Sequence, residues 1–263
     1  MKFISLLLLL TYSLLAYNDS DMDGVDDKID KCLHTPFMDL VNKDGCTKSS
    51  LISPHHFDII FGTSYLNYDK TDIYTTSLQL DYFYKNFSLS LSSSYFTNAN
   101  STTDTDSENK GMNDSYVGLS YRIKPLKNLT INSSLGTLIA TYNSDTNKDD
   151  YIASIGLTYH LSSFRIMGSY RYTLIGDTST TIDYQDSDAY TLGVGYYINN
   201  KLYLSTSYKN SKSIYVDNED IKSLSVYSSY NFNLHWFSTL NYSYGLSESA
   251  NDNYLSLRLG YYL

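Results

Sequence analysis

Residues 151–161 read Tyr-Ile-Ala-Ser-Ile-Gly-Leu-Thr-Tyr-His-Leu. Ala153, Ile155, Leu157, Tyr159 and Leu161 fall on one parity, and Ser154, Gly156, Thr158 and His160 on the other. Successive side chains of a strand point to opposite faces, so this run predicts a strand with one apolar and one polar face. Its length matches the about 9–11 residues that a tilted strand needs to cross a bilayer.

Working outward, the alternation recurs over 56–67, 72–83, 87–97, 113–123, 129–140, 150–161, 164–174, 187–198, 201–210, 220–232, 236–246 and 253–263. That is twelve predicted strands; ten or fourteen are the alternative counts. The weakest is 87–97, where Ser88, Ser90, Ser92 and Ser94 face one way and Ser93 dilutes the other face. Short connections (84–86, 124–128, 162–163, 199–200, 233–235) alternate with longer polar ones (98–112, 141–149, 175–186, 211–219, 247–252). A soluble sandwich has no reason to alternate in this way. A transmembrane barrel does, with short periplasmic turns and longer outer loops. The expected fold class is therefore all-β, a transmembrane antiparallel β-barrel. It must close on itself, because open strand edges cannot be satisfied in lipid. An even count also leaves both barrel ends on the periplasmic side.

Composition agrees without deciding. The 263 residues include 29 Tyr and only 3 Pro, with 42% hydrophobic residues. Tyr suits strands and membrane interfaces. A formal charge of −9 argues against nucleic acid as a partner.

Met1-Lys2, the leucine-rich run up to Leu15 and then Ala16 predict a secretory signal peptide over 1–16. Leu14 departs from the small residue usual before a cleavage site, which leaves that site open. The expected organisation is then an acidic module over 17–50, placed in the periplasm, and a barrel over 51–263. The expected location is the bacterial outer membrane, and the expected partners are its lipid and its insertion machinery. A periplasmic partner for the acidic module is a further possibility.

In the acidic module, Asp19, Asp21, Asp23, Gly24, Asp27 and Asp30 occupy positions 1, 3, 5, 6, 9 and 12 of a calcium loop, and the Val25 carbonyl falls at position 7. Oxygen ligands at alternate positions let a tight loop wrap a hard cation, and Gly24 permits the turn. The alternative is an acidic solvated linker. Residues 19–46, with Cys32, Thr35-Pro36, Val41-Asn42 and Gly45-Cys46, resemble a thrombospondin type-3-like calcium repeat. The resemblance implies that Asp19, Asp21, Asp23, Asp27 and Asp30 bind calcium. Cys32 and Cys46 are the only cysteines, and an oxidising periplasm makes a disulfide the expectation. Two free thiols are the alternative, and one nearby His34 does not complete a zinc set.

The terminal run Arg258-Leu-Gly-Tyr-Tyr-Leu263 is similar to the last strand that outer-membrane barrels present for insertion, with Leu263 where Phe is usual. The resemblance to outer-membrane, porin-like barrels implies a channel. The polar face is mostly Ser, Thr, Gly and Asn. Its candidate lining residues are Asp58, Asp81, Arg122, His160, Arg165, Arg171, Lys209 and Arg258. These charges either project into a water-filled channel for small solutes or ions, or pair across the lumen and plug it. Ion preference stays open, because inward basic residues oppose acidic outer loops that carry Asp104, Asp106, Glu108, Asp114, Asp145, Asp149, Asp150, Asp183, Asp186 and Asp188. A structural or surface-binding barrel is one alternative. An enzyme similar to outer-membrane phospholipases is another, but the one His-x-Ser match, His160-Leu-Ser162, puts His160 on the inward face.

Overall fold

The computed structural model describes residues 19, 21, 25–32, 35, 41, 43–46, 55–68, 71–98 and 110–263. The chain divides into two compact units, Met1–Pro54 and His55–Leu263. The second unit is one antiparallel sheet with no helix among its described residues. Its strands are β1 (His55–Tyr68), β2 (Thr71–Tyr84), β3 (Phe87–Asn98), β4 (Lys110–Met112), β5 (Ser115–Leu126), β6 (Leu129–Ile139) and β7 (Asp150–Leu161). They continue as β8 (Phe164–Leu174), β9 (Ser187–Tyr197), β10 (Leu202–Ser211), β11 (Ile221–Asn231), β12 (Trp236–Gly245) and β13 (Asn253–Tyr262).

Each strand pairs with its sequence neighbour, and β1 pairs with β13 from Asp58↔Tyr262 to Asn67↔Asn253, which closes the barrel. Short β4 is a leading piece of β5: both pair with β3, separated at Asn113-Asp114. The barrel thus has twelve wall strands, as the alternation predicts, and the boundaries differ by a few residues. The predicted strand 113–123 begins instead at Ser115, because the Asn113 side chain and amide both turn back to Ser94. Both barrel ends meet at the turn end, where Phe57 and Leu263 exchange backbone hydrogen bonds.

The outer face explains why this sheet belongs in lipid. Phe57, Ile59 and Phe61 on β1 and Leu255, Leu257 and Leu259 on β13 are all exposed, and Leu135 is 68% exposed. Monomeric soluble proteins rarely carry contiguous apolar surface beyond a few hundred Å²; here the band runs round every wall strand. Aromatic pairs edge it. Phe87–Tyr121, Phe164–Tyr196 and Trp236–Tyr261 stand at the turn end, and Tyr65–Tyr74 at the loop end. Such rings bury an apolar body and keep a polar tip at the interface. Tyr65 donates its hydroxyl proton to Asp72 at 2.8 Å on that rim.

Candidate functional site

The inner face is the functional candidate. Asp58, Asp81, Arg122, His160, Arg165, Arg171, Lys209 and Arg258 all sit on the parity opposite the exposed apolar residues of their strands. Arg122 donates from Nε to Asn132 Oδ1 at 3.3 Å. Arg165 donates to the carbonyls of Ser162 and Phe164 at 2.6 and 2.9 Å. Arg258 donates to Gln79 Oε1 at 2.9 Å, and Gln79 donates in turn to Asp81 Oδ2 at 2.7 Å. Among the described residues no carboxylate lies within ion-pair distance of Arg122, Arg165, Arg171, Lys209 or Arg258; the ion pair Lys31–Asp44 lies in the other unit. Cross-lumen pairing of these charges, one of the two sequence-based expectations for the lumen, is not what they do.

The two inward acids stand together. Asp58 and Asp81 are direct cross-strand partners on β1 and β2, each 7% exposed. Neither Oδ1 atom has a hydrogen-bond partner among the described residues.

The inner face is expected from its residues to be small and polar, yet it also carries large aromatic residues. Tyr197, Tyr203 and Tyr227 form a run across β9, β10 and β11. The ring centroids of Tyr197 and Tyr203 are 4.7 Å apart, and those of Tyr203 and Tyr227 are 6.3 Å apart. The Arg165 guanidinium sits 4.9 Å over the Tyr197 ring. Phe237 stacks on Tyr262 at 4.5 Å. Large inward rings are accommodated by inward glycines. A β-carbon built on Gly195 would lie 2.0 Å from Tyr203 Oη, one on Gly260 2.0 Å from Phe237 Cζ, and one on Gly118 2.1 Å from Tyr116 Oη. Aromatic side chains covering strand glycines in this way pin register and curvature. Arg258 uses the same device, its stem passing 3.2 Å from the β-carbon position of Gly62 on the way to Gln79. Glycine recurs at inward positions such as Gly193 and Gly195, and that recurrence is the sequence signal of these covering rings.

His160 bonds Thr130 Oγ1 at 3.0 Å through Nε2, across the β6–β7 pair. Ser162 lies in the turn after β7 with φ of 52°. The arrangement holds His160 against the wall through a threonine and not through Ser162.

The outer loops are stitched, not merely solvated. Asp114 Oδ1 accepts from the amides of Thr141 and Tyr142 and from Asn147 Nδ2. Asp177 accepts from the Lys148 amide, Asp150 from the Gly176 amide, and Glu219 from the amides of Glu248 and Ser249. Each carboxylate reaches across to the next loop, so acidic residues tie neighbouring loops together at three places on the rim. Asp104, Asp106 and Glu108 lie outside the described residues.

In the first unit, Cys32 and Cys46 form a disulfide. Thr35 Oγ1 donates to the Gly45 carbonyl at 2.6 Å, and the Lys31 amide to the Asp44 carbonyl at 2.9 Å. Of the candidate calcium ligands, Asp23 lies outside the described residues, and no group of three or more ligand side chains converges among the described ones. Asp30 is buried, its Oδ1 accepts from the Cys32 amide at 2.7 Å, and its Oδ2 has no hydrogen-bond partner among the described residues.

No protein-family profile and no curated sequence matches the chain. Solved structures do. An outer membrane channel from Pseudomonas putida F1 superposes with a TM-score of 0.61 at 10% identity, covering 80% of this chain and 95% of that one. The KdgM porin in complex with disordered oligogalacturonate gives 0.54 at 12% identity, covering 78% and 97%. The NanC porin gives 0.53 at 17% identity, covering 78% and 98%. At these identities the likeness is one of fold, and the fold is the closed antiparallel barrel of bacterial outer-membrane proteins.

Proposed function

We propose that the barrel is a passive outer-membrane channel for small hydrophilic solutes, and that its lumen favours anions. The observation that carries this is the set of inward Arg and Lys side chains at 122, 165, 171, 209 and 258 with no carboxylate partner among the described residues. Unpaired guanidinium and ammonium groups in a narrow lumen stay hydrated only if water fills it. A dry, plugged lumen would leave them as buried unpaired charge, which is prohibitive. A twelve-stranded wall is narrower than the 16–18-stranded porins and suits small solutes. Asp58 and Asp81 oppose the basic set but are outnumbered by it. The acidic rim is exposed and screened beyond about 8 Å at physiological salt, so the lumen dominates the sign. The solved structures of similar fold are themselves described as channels or porins, which supports the reading.

The test is conductance of the folded protein in planar bilayers under a KCl gradient. Discrete steps with a chloride-selective reversal potential are expected. Absence of steps from verified folded barrels overturns the channel, and a potassium-selective potential overturns the anion preference.

We also propose that the first unit faces the periplasm and holds calcium through the carboxylates of its acidic loop, supported by the unmatched Oδ2 of buried Asp30. Asp19, Asp21, Asp23 and Asp27 would supply the remaining side-chain oxygens, and the ion would rigidify the loop beside the disulfide. Calorimetric titration of the mature chain with calcium should show binding that Asp30→Asn removes; no heat from the unmodified chain overturns the assignment.

A further inference from the structure

We propose that the turn half of the lumen contains a binding subsite for organic anions that carry a flat apolar face. The proposal deepens the channel reading and rests on it. The subsite consists of Tyr197, Tyr203 and Tyr227, with Arg165 at one end.

The sequence positions these groups by register. Tyr197 and Tyr203 are cross-strand partners on either side of the tight turn at Asn199-Asn200. Tyr227 is paired with Ser205, two residues along β10 from Tyr203. The rings therefore fall on three consecutive strands, whose spacing of about 4.8 Å lets adjacent inward aromatics touch. Centroid separations of 4.7 and 6.3 Å place both contacts in the range where aromatic pairs attract. Gly195 decides how Tyr203 lies. Because the space of a β-carbon at Gly195 is taken by Oη, Cζ and Cε2 of Tyr203, the ring runs along the wall and does not cross the lumen. The result is an apolar shelf in an otherwise serine- and threonine-rich wall.

The charge stands at one end of the shelf. Arg165 is paired with Gly195 across β8 and β9, and its guanidinium lies over Tyr197 at 4.9 Å. Its hydrogen bonds to protein use one terminal nitrogen, to the Ser162 and Phe164 carbonyls. Nε and the second terminal nitrogen have no such bond among the described residues, and this is the donor pair that matches a carboxylate bidentately. Arg258 shares a register row with Tyr203 through Ser229 and Thr239, but its stem turns the other way, over Gly62 on β1 to Gln79 on β2, which leaves Arg165 as the anchor.

The chemistry that fits is a carboxylate attached to a planar ring: the carboxylate on the Arg165 fork, the ring on the tyrosine shelf. A small inorganic anion meets only the first feature. An aliphatic carboxylate of equal charge meets the first and wastes the second.

The experiment uses the folded mature protein. Block of single-channel chloride current by benzoate is compared with block by cyclohexanecarboxylate, which has the same charge and ring size without a planar face. Benzoate should block at a concentration about two- to ten-fold lower, the range expected for one aromatic pair. Each variant is read against its own chloride conductance. Tyr203→Leu should erase the difference between the two blockers, Tyr203→Phe should keep it, and Arg165→Gln should weaken block by both. Equal block by the two acids in the unmodified protein overturns the subsite while leaving the channel intact. Saturation-transfer NMR of benzoate with the detergent-solubilised barrel gives a readout that needs no current. A barrel that passes no chloride but binds benzoate through Tyr203 overturns the channel and keeps the subsite, and one that does neither overturns both.

Discussion

The hydroxyl of Tyr203 occupies the space that a β-carbon on Gly195 would need, with only 2.0 Å between the two positions. The backbone at Gly195 has no left-handed φ, so the glycine is required there by the ring and not by the chain. Gly195→Val should therefore drive Tyr203 off the wall and into the lumen. The expected results are a smaller single-channel conductance and a loss of about 1–3 kcal/mol of stability from overpacking. An unchanged conductance with normal folding would mean that the ring does not limit the bore.

The Asp58–Asp81 pair is a destabilising contact built into the turn half of β1 and β2. Like charges directly opposite on neighbouring strands repel, and both groups are 7% exposed. Asp81 at least accepts from Gln79, so Asp58 is the residue to change. Asp58→Asn removes the repulsion and adds an amide that can donate to Asp81. It should raise the urea stability of the folded barrel by about 1 kcal/mol. A lower stability would indicate that the two carboxylates are held together by a bound cation.

Much of this fold is readable in the residues. The parity that puts Ala153, Ile155 and Leu157 outward and Ser154, Gly156 and Thr158 inward is the parity of β7. Even Tyr197 falls on the inward parity in the sequence. What periodicity cannot show is which inward residues meet, because that depends on register between strands. Tyr203 and Gly195 are on different strands, and so are Arg258 and Gln79. Acidic loops illustrate the same limit. Their composition reads as solvation, yet Asp114 and Glu219 spend their oxygens on amides of neighbouring loops. The start of β5 at Ser115, two residues past the predicted 113, has a similar reason, since the turn of Asn113 toward Ser94 is a contact between segments.

Reduction of the Cys32–Cys46 disulfide should affect the first unit alone. The bond closes a segment with a sequence separation of 14, and cross-linking a loop of that size removes unfolded-state entropy worth about 3 kcal/mol. The Lys31 amide bonds the Asp44 carbonyl beside Cys46, and the Thr35 hydroxyl bonds the Gly45 carbonyl. Reducing agent should increase amide exchange at Lys31, while the unheated gel mobility of the folded barrel stays the same. Loss of that mobility would show that barrel folding depends on the first unit.

The outer rim should loosen in acid where Asp186 holds it, and Asp186 should be late to let go. Its carboxylate accepts from the Tyr172 hydroxyl at 2.7 Å and from the Ile175 amide at 3.1 Å. Those two bonds, the tyrosine first, hold Asp186 below its ordinary value of 3.8. A depressed carboxylate contributes order that is fully present above its unfolded pKa and is lost as pH falls through the folded one. The residue is exposed, so salt screens much of the effect, and the readout must be local. Exchange protection of the Ile175 amide should be greater in the unmodified protein than in Asp186→Asn at about pH 6. The difference should shrink once the pH falls below the ordinary carboxylate range and vanish when the acid is fully protonated. If the two proteins still differ there, the charge on Asp186 is not what holds the end of β8 to the start of β9.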